Sequence, residues 1–213
     1  MVKKVYLCMI ALLLTPVVAL YVCPYLFHNP DVSFTGFIQY DMASYMANAR
    51  EHFDNGYFRF SYSNPFSYSY ESKAIYFQPQ TLLLALIWKL TGLDPGVVFN
   101  IFGIFSAFTC AWIILIFFES QFGLQDKTNW IGLAIFFWGG GLIAIGGIAH
   151  NFLNIRPLFD EVFRFDPGRG WWFLNLGRNI VYPTEAFYHA LFFGIAFLVL
   201  KKNIARVIYY RFF

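Results

Sequence analysis

Residues 97–118, VVFNIFGIFSAFTCAWIILIFF, form a long apolar run without a charged residue. A helix that crosses a bilayer needs about 20 predominantly apolar residues, so this stretch predicts a transmembrane helix. Over the whole chain, 59% of the 213 residues are hydrophobic and 13% are charged. In soluble domains about 45–50% of the residues are apolar and about 25% are charged. We therefore predict an all-α, polytopic membrane protein.

Three further runs have the length and composition of membrane spans. They cover residues 5–26, 130–150 and 183–200, and with 97–118 they make four predicted spans in a single transmembrane domain, 1–213. Cytoplasmic flanks of membrane spans are enriched in lysine and arginine, which predicts a cytoplasmic N-terminus and external loops at 28–96 and 151–182. The basic flanks contain Lys3, Lys4, Lys127, Lys201, Lys202, Arg206 and Arg211.

The apolar run at residues 81–93, TLLLALIWKLTGL, decides the topology. It is shorter than the roughly 17–25 residues of a span, it contains Lys89, and Pro79 and Pro95 flank it. We predict a helix that lies along the membrane interface. If this run crossed the membrane instead, the basic C-terminal tail would lie outside.

Charge and cysteine content exclude two classes of function. The net charge of +3 is too small and too scattered to indicate a nucleic-acid partner. Cys8, Cys23 and Cys110 have none of the spacings of a metal or redox motif, so they read as small apolar residues.

A polar segment, FIQYDMASYMANAREHFD at residues 37–54, interrupts the first external loop. Its residues alternate with the spacing of a two-faced helix, which we predict to lie flat on the membrane. The polar face would point to a water-filled crevice or to another loop, although a merely solvated face fits the same pattern. The apolar face carries Met42, Tyr45, Met46, Ala49 and Phe53, and the polar face carries Asp41, Ser44, Asn48 and His52.

The second external loop has the highest density of charge in the chain. Salt bridges within the loop and a site for an anionic substrate are both compatible with this density, because arginine offers phosphate a planar fork of donors. The charged residues are Arg156, Asp160, Glu161, Arg164, Asp166, Arg169 and Arg178.

Glu185 and His189 lie at the beginning of the fourth span, four residues apart and so on one helix face. Ionisable groups are costly in lipid and by default face the protein interior or a functional site. We expect both residues to line a site. As a metal pair they lack further residues at ligand spacing.

Four features together resemble the GT-C superfamily of glycosyltransferases. They are the N-terminal anchor, an early Asp41 on a juxtamembrane helix, the interfacial segment IYFQPQTLLLALIWKLTGL (75–93) and the acidic second loop. Members of this family take a sugar from a polyprenyl phosphate or diphosphate. They include protein O-mannosyltransferases, aminoarabinose transferases and oligosaccharyltransferases. Family members have more spans than four, so the resemblance implies that this chain is the N-terminal part of a larger enzyme.

The resemblance implies roles for individual residues. Asp41 would be the catalytic acidic residue of the first loop. It would act as a general base toward the acceptor or would orient the acceptor or a metal ion. Asp160, Glu161 or Asp166 would be second-loop acids, and Arg169 or Arg178 would bind the donor phosphate. Met42 follows Asp41 where mannosyltransferases have a paired Asp–Glu, and the second loop contains no D-x-D or D-x-E. The need for a divalent cation therefore stays open.

The expected function is transfer of a sugar from a polyprenyl-phosphate-linked donor to an acceptor on the outer face of a bacterial or archaeal plasma membrane, as part of cell-envelope chemistry. Two other classes stay open. One is a transporter or lipid-handling protein, which should carry charges within its spans. The other is a non-catalytic or truncated membrane fragment. Neither the sugar nor the acceptor follows from the sequence.

Overall fold

The computed structural model describes residues 4–27, 31, 35, 40–54, 60–62, 76–138, 142–157 and 176–212. For 40, 41, 62, 76, 142–145, 176–178 and 202–212 it describes the backbone alone. These residues form an all-α fold, which confirms the predicted class, together with one pair of two-residue strands. The elements are α1 (Lys4–Phe27), α2 (Tyr40–Asp54), β1 (Ser61–Tyr62), β2 (Tyr76–Phe77), α3 (Pro79–Thr91), α4 (Pro95–Phe122), α5 (Lys127–Trp138), α6 (Leu142–Leu153), α7 (Leu176–Val181) and α8 (Pro183–Phe212).

Three of the described helices are long and apolar enough to cross a membrane. They are α1, α4 and the Pro183–Lys201 part of α8, and they coincide with the predicted spans at 5–26, 97–118 and 183–200. The chain is therefore a membrane protein with a lipid bilayer as its environment. In place of the predicted span at 130–150 there are two helices of 12 residues each, α5 and α6. Residues 139–141 between them lie outside the described part, so a continuous third span stays a prediction.

The run at 81–93 forms a helix, as predicted, with bounds Pro79–Thr91. It ends at Gly92, which adopts a left-handed conformation with φ 63° and donates its N–H to Trp88 O at 2.8 Å. Two residues later Asp94 caps α4 by accepting from the N–H groups of Gly96 (2.9 Å) and Val97 (3.3 Å). The sequence GLDPG thus contains both the stop signal of one helix and the start signal of the next.

Side-chain contacts fix the directions of the helices. Tyr6 near the start of α1 donates to Glu119 near the end of α4, whereas Tyr25 near the end of α1 accepts from Asn100 near the start of α4. α1 and α4 are therefore antiparallel. α8 runs parallel to α4, because its start lies against the first half of α4 and Phe197 contacts Phe117 at 6.1 Å between ring centroids.

Two ends of the bundle follow from these directions. We call the end with the starts of α3, α4 and α8 the polar end. The opposite end, called the basic end, contains the starts of α1 and α5 and Lys201 of α8. Trp138 near the end of α5 donates its indole N–H to Leu13 O at 2.9 Å, halfway along α1. Twelve residues of α5 extend for about 18 Å, so this helix rises from the basic end to the middle of the bundle.

The apolar face of α2 has the predicted composition but a different cover. Met42, Met46 and Ala49 are buried against Leu84 of α3 and Phe99 of α4, in a cluster with other residues of those helices. Protein therefore covers this face, whereas we expected the membrane to do so. Burial between helices stabilises α2 in the same way as lipid would, since both remove apolar surface from water.

The prediction for the polar face of α2 is partly wrong. Asn48 and His52 were expected to point toward water or another loop, and both are interior, with 4% and 1% of their surface exposed. The helix packs along α3, and its Tyr45 also stacks on Phe99 of α4 at 6.4 Å between ring centroids, so its buried sector is wider than the apolar stripe. The polar residues at its margin are enclosed with it. Arg50 and Asp54 stay exposed and form an ion pair with a nitrogen–oxygen distance of 3.2 Å.

A hydroxyl group joins α7 to the bundle. Tyr21 donates from its phenol to Val181 O, and Ile180 next to this carbonyl is completely buried among residues of α1 and α5. We expect Tyr21→Phe to lower the free energy of unfolding by about 1 kcal/mol, because a buried carbonyl loses its donor. Thr15→Val is the control, since Thr15 bonds to Ala11 O, within its own helix.

Thermal unfolding of the two variants in detergent micelles tests this role of Tyr21. A larger loss of stability for Thr15→Val than for Tyr21→Phe would contradict it.

Candidate functional site

The starts of α3 and α8 meet at the polar end. Gln80, the second residue of α3, donates from Nε2 to Oγ1 of Thr184, the second residue of α8, at 3.0 Å. Both helices begin with a proline, whose missing N–H costs nothing at that position. The positive ends of two helix dipoles are therefore directed to one place, which favours a negatively charged ligand group.

The two neighbouring helix starts differ in their caps. Asp94 already occupies the first N–H groups of α4 with its carboxylate. By contrast, Gln78 at the start of α3 makes no side-chain capping bond. Of these two helix starts, that of α3 has no side-chain cap. The positive end of the α3 dipole is therefore not neutralised by its own capping residue.

The start of α8 is set back into the bundle. Pro183 contacts α4 at Gly103, where an added Cβ would lie only 2.6 Å from the proline Cγ. Gly103 is eight residues after Pro95, so α8 starts about 12 Å deeper in the bundle than α4 does. We call the level of this first turn of α8, set back from the start of α4, the recess. Only a glycine permits so close an approach of the two helices.

Two buried amide side chains lie at this level. Gln80 is completely buried, and Asn100 of α4 is 5% exposed. Asn100 Nδ2 donates to the Tyr25 hydroxyl at 3.2 Å. Among the described residues, Oε1 of Gln80 and Oδ1 of Asn100 meet no hydrogen-bond donor. Buried carbonyl oxygens of this kind can accept a hydrogen bond from a hydroxyl group of a ligand or from water.

Glu185 and His189 contact each other on the first two turns of α8, as their spacing predicts. His189 Nδ1 lies 3.7 Å from Glu185 Oε2 and 2.7 Å from Glu185 O. A carbonyl oxygen only accepts, so Nδ1 is the donor in the contact with Glu185 O. The side chain of Glu185 is 54% exposed and that of His189 is 27% exposed. Both groups remain accessible to a ligand in the recess.

Asp41 is the second residue of α2, and its backbone lies at the polar end. The next residue, Met42, is buried in the cluster that contains Phe102 of α4, and Phe187 of α8 packs against this cluster. The rings of Phe102 and Phe187 are 5.6 Å apart. The structure thus brings the start of α2 to the end of the bundle where Glu185 lies, two residues before Phe187. The Asp41 side chain lies outside the described part of the structure.

The other candidate residues belong to the second loop. Arg178 lies on α7, one turn before α8, with its backbone described. Asp160, Glu161, Asp166 and Arg169 lie outside the described residues. Their assignment to the site stays a prediction.

Sequence reasoning missed several members of the polar end, namely Gln80, Asn100, Tyr25 and Thr184. For Asn100 a signal existed, because an amide inside the apolar run VVFNIFG is expensive in lipid and indicates a partner in the protein. Gln80 and Thr184 carried no comparable signal, since each follows a proline at a helix start, where polar residues are common.

The described residues contain no group of three or more histidine, cysteine, aspartate or glutamate side chains that could hold a metal ion. Glu185 and His189 are two such groups in contact. A cation that also used second-loop acids would involve residues outside the described part.

Comparisons with protein-family models, with curated proteins and with solved structures find no match. The resemblance to the GT-C superfamily therefore stays a prediction from the sequence. The function of the chain is therefore inferred from the residues and geometry of the polar end.

Proposed function

We propose that the chain belongs to a membrane glycosyltransferase that moves a sugar from a polyprenyl-phosphate-linked donor to an acceptor outside the cytoplasm. The observation that carries the proposal is the recessed start of α8. There Glu185 directly follows Thr184 of the Gln80–Thr184 contact, and His189 lies one turn further along α8, at the end of the bundle where Asp41 is the second residue of α2.

The recess suits the chemistry of a lipid-linked donor. The polyprenyl chain of such a donor stays in the bilayer, and its phosphate and sugar lie at the surface. The positive ends of α3 and α8 favour the phosphate. Arg169 or Arg178 would add the charge that stabilises the departing phosphate.

In the proposed reaction, Asp41 takes the proton of an acceptor hydroxyl. The acceptor oxygen forms a bond to the anomeric carbon of the sugar, and the bond from that carbon to the phosphate oxygen breaks. Polyprenyl phosphate leaves with the bonding electron pair. A positioned general base contributes about 10²–10⁴-fold to such a step.

The experiment that tests the proposal uses the full-length protein in liposomes with a polyprenyl-phosphate sugar labelled in the sugar. We expect label to move from the organic phase to an acceptor or to water, in a manner dependent on the protein. Folded protein that leaves every tested hexosyl and pentosyl donor intact, with envelope acceptors present, would contradict the proposal.

The distribution of charge supports a cytoplasmic basic end. Lys4, Lys127 and Lys201 lie at the starts of α1 and α5 and toward the end of the apolar part of α8. Positive residues mark the cytoplasmic side of membrane proteins, so the polar end would face outward in a bacterial or archaeal plasma membrane. This orientation places the recess where an external acceptor can reach it.

Cysteine labelling tests the orientation. In a background with Cys8, Cys23 and Cys110 replaced by alanine, we expect Thr91→Cys to react with a membrane-impermeant maleimide on intact cells. Gln125→Cys should react only after permeabilisation, because the α4–α5 turn lies at the basic end. Both positions are exposed, so access depends on the side of the membrane. Reaction of Gln125→Cys in intact cells would contradict this topology.

A further inference from the structure

An apolar groove lies in the basic half of the bundle, away from the polar end. It is bounded by α4, α5 and α8 and has a volume of about 550 Å³. Ligand pockets in proteins measure about 300–1,000 Å³, so the groove is large enough for a small molecule or one hydrocarbon chain. Its walls include Ile114, Phe117 and Phe118 of α4, Gly132 and Phe136 of α5, and Phe193 of α8.

The groove has a rigid aromatic frame. Phe136 and Phe193 meet edge to face at 6.3 Å between centroids, which joins α5 to α8. Phe118 and Phe122 lie 4.7 Å apart along α4. Edge-to-face packing is a favoured arrangement of aromatic rings, so the Phe136–Phe193 pair stabilises the wall of the groove between α5 and α8.

A second, smaller cavity adjoins the groove at the basic end. It is lined by Ser120 and Gln121 of α4 and by Phe197, Leu200 and Lys201 of α8, with a volume of about 300 Å³. Gln121 lines both cavities, so they are neighbours on one side of the α4–α8 pair. The Ser120 hydroxyl donates to Phe117 O at 2.7 Å and accepts from Gln121 Nε2 at 3.2 Å, so the Gln121 amide and the Lys201 ammonium are the donors left at the mouth of the apolar groove. The next carboxylate along α4, Glu119, accepts from Tyr6 of α1.

We propose that these two cavities together form a binding site for an anionic phospholipid. One acyl chain would occupy the groove, and the phosphate would be bound by the Lys201 ammonium and the second N–H of the Gln121 amide. The chemistry of both parts fits this occupant, because the groove is apolar and the smaller cavity presents an amide N–H and a positive charge. Lysine next to a bilayer attracts anionic headgroups, and Lys202 follows directly in the sequence.

The site is independent of the proposed sugar transfer. The donor phosphate would lie at the polar end, whereas Lys201 lies 18 residues after Pro183 on α8, at the basic end. A lipid at the basic end would join α5 to α8, which share few other contacts in the described part. We therefore expect it to stabilise the fold and to leave the chemistry at the polar end unchanged.

Gly132 allows the groove to be filled by substitution. A Cβ at this position would meet only Phe118 Cζ, at an ordinary contact distance of 3.6 Å, so a leucine side chain would extend into the groove. Gly194 of α8 is a matched position, because its Cβ would also meet one side-chain atom at 3.6 Å and it does not line the groove. Lys127 is likewise matched to Lys201 as an exposed lysine at the basic end.

The experiment measures lipid retention by native mass spectrometry of the full chain, extracted from nanodiscs of phosphatidylglycerol and phosphatidylcholine with identical acyl chains. We expect wild-type protein to retain phosphatidylglycerol about fivefold over phosphatidylcholine, the factor that one lysine near an anionic headgroup contributes. Lys201→Gln should remove this preference, and Lys127→Gln should keep it. Gly132→Leu should remove the bound lipid, and Gly194→Leu should keep it.

Three outcomes would overturn the proposal. The first is equal retention of the two lipids by wild-type protein. The second is a phosphatidylglycerol preference that Lys201→Gln leaves intact. The third is a wild-type spectrum with a dimer mass and no lipid adduct, in which Gly132→Leu abolishes the dimer mass. A second copy of the chain would then fill the groove. Lys201 is exposed, so Lys201→Gln should fold. This variant still tests the preference for phosphatidylglycerol even if Gly132→Leu fails to fold.

Discussion

Replacing Asp41 with asparagine in the full-length protein is expected to lower the rate of sugar transfer by about 10²–10⁴-fold. Asparagine keeps the size and the hydrogen-bonding capacity of the side chain but takes no proton from an acceptor hydroxyl at neutral pH. Asp41 is the second residue of α2, and Met42 after it anchors the helix in the cluster with α3 and α4. The substitution therefore removes the proposed base without removing the contacts that position the helix.

The cost to stability should be small. A carboxylate in the first turn of a helix stabilises it by about 0.3–1 kcal/mol through the helix dipole, and asparagine retains part of this by hydrogen bonding. Unfolding temperatures of the wild type and Asp41→Asn should thus be close, which separates loss of chemistry from loss of fold.

Asp54→Asn is the matched control, with the same change on the same helix. Asp54 is exposed at the other end of α2 and pairs with Arg50, an interaction of about 0.3–0.5 kcal/mol for an exposed pair of this spacing. We expect the rate of sugar transfer by Asp54→Asn to equal that of the wild type. Full activity in Asp41→Asn would remove Asp41 from the mechanism, and equal losses in both variants would assign α2 a structural role.

Replacing Gly103 with alanine is expected to lower the free energy of unfolding by about 1–3 kcal/mol, the usual cost of overpacking. The added methyl group would lie 2.6 Å from Pro183 Cγ and 3.1 Å from its Cβ. The proline ring cannot rotate away, and it begins the helix that carries Glu185 and His189. Either α8 moves outward or α4 bends, and in both cases the recess changes shape.

Gly194→Ala is the control for this prediction. Its methyl group would touch only Ile113 Cδ1 at 3.6 Å, which is ordinary van der Waals contact, and alanine is the better helix former by about 1 kcal/mol. Gly194→Ala should therefore be as stable as the wild type or more stable. Detergent-based denaturation of both variants provides the comparison, and equal stability of Gly103→Ala and Gly194→Ala would contradict the close approach of α4 and α8.

The proposed function predicts that the two substitutions also differ in activity. Gly103→Ala should lower sugar transfer because it displaces the Gln80–Thr184 contact, and Gly194→Ala should not. A stable Gly103→Ala variant with unchanged transfer would show that the recess is not used in the reaction.

Much of the fold could be predicted because it depends on local properties of the chain. The spans at 5–26, 97–118 and 183–200 followed from length and apolar composition, since only a helix satisfies its own backbone hydrogen bonds in lipid. The short helix α3 followed from its length and from the glycine and proline signals around it. The contact between Glu185 and His189 followed from the helical repeat.

The candidate site was predictable only in part. Asp41, Glu185 and His189 stood out because polar residues beside or within apolar runs are costly. The burial of Asn48 and His52 did not follow, because a helical pattern shows which residues share a face and not how wide a sector the neighbours cover. For the second-loop acids, the sequence provides the only argument.

The sequence alone determined that the chain is an all-α membrane protein, where its long apolar helices lie, and which end of the bundle collects positive charge. Each of these depends on residues close together in the chain. Only the tertiary structure decided that protein covers α2, that Gln80 reaches Thr184, that Gly103 admits Pro183, and that an apolar groove ends beside Lys201. These contacts join residues that are far apart in the chain, from 35 positions for Phe53 and Trp88 to 104 for Gln80 and Thr184. Lipid and protein interiors reward the same apolar pattern, so no local signal distinguishes between them.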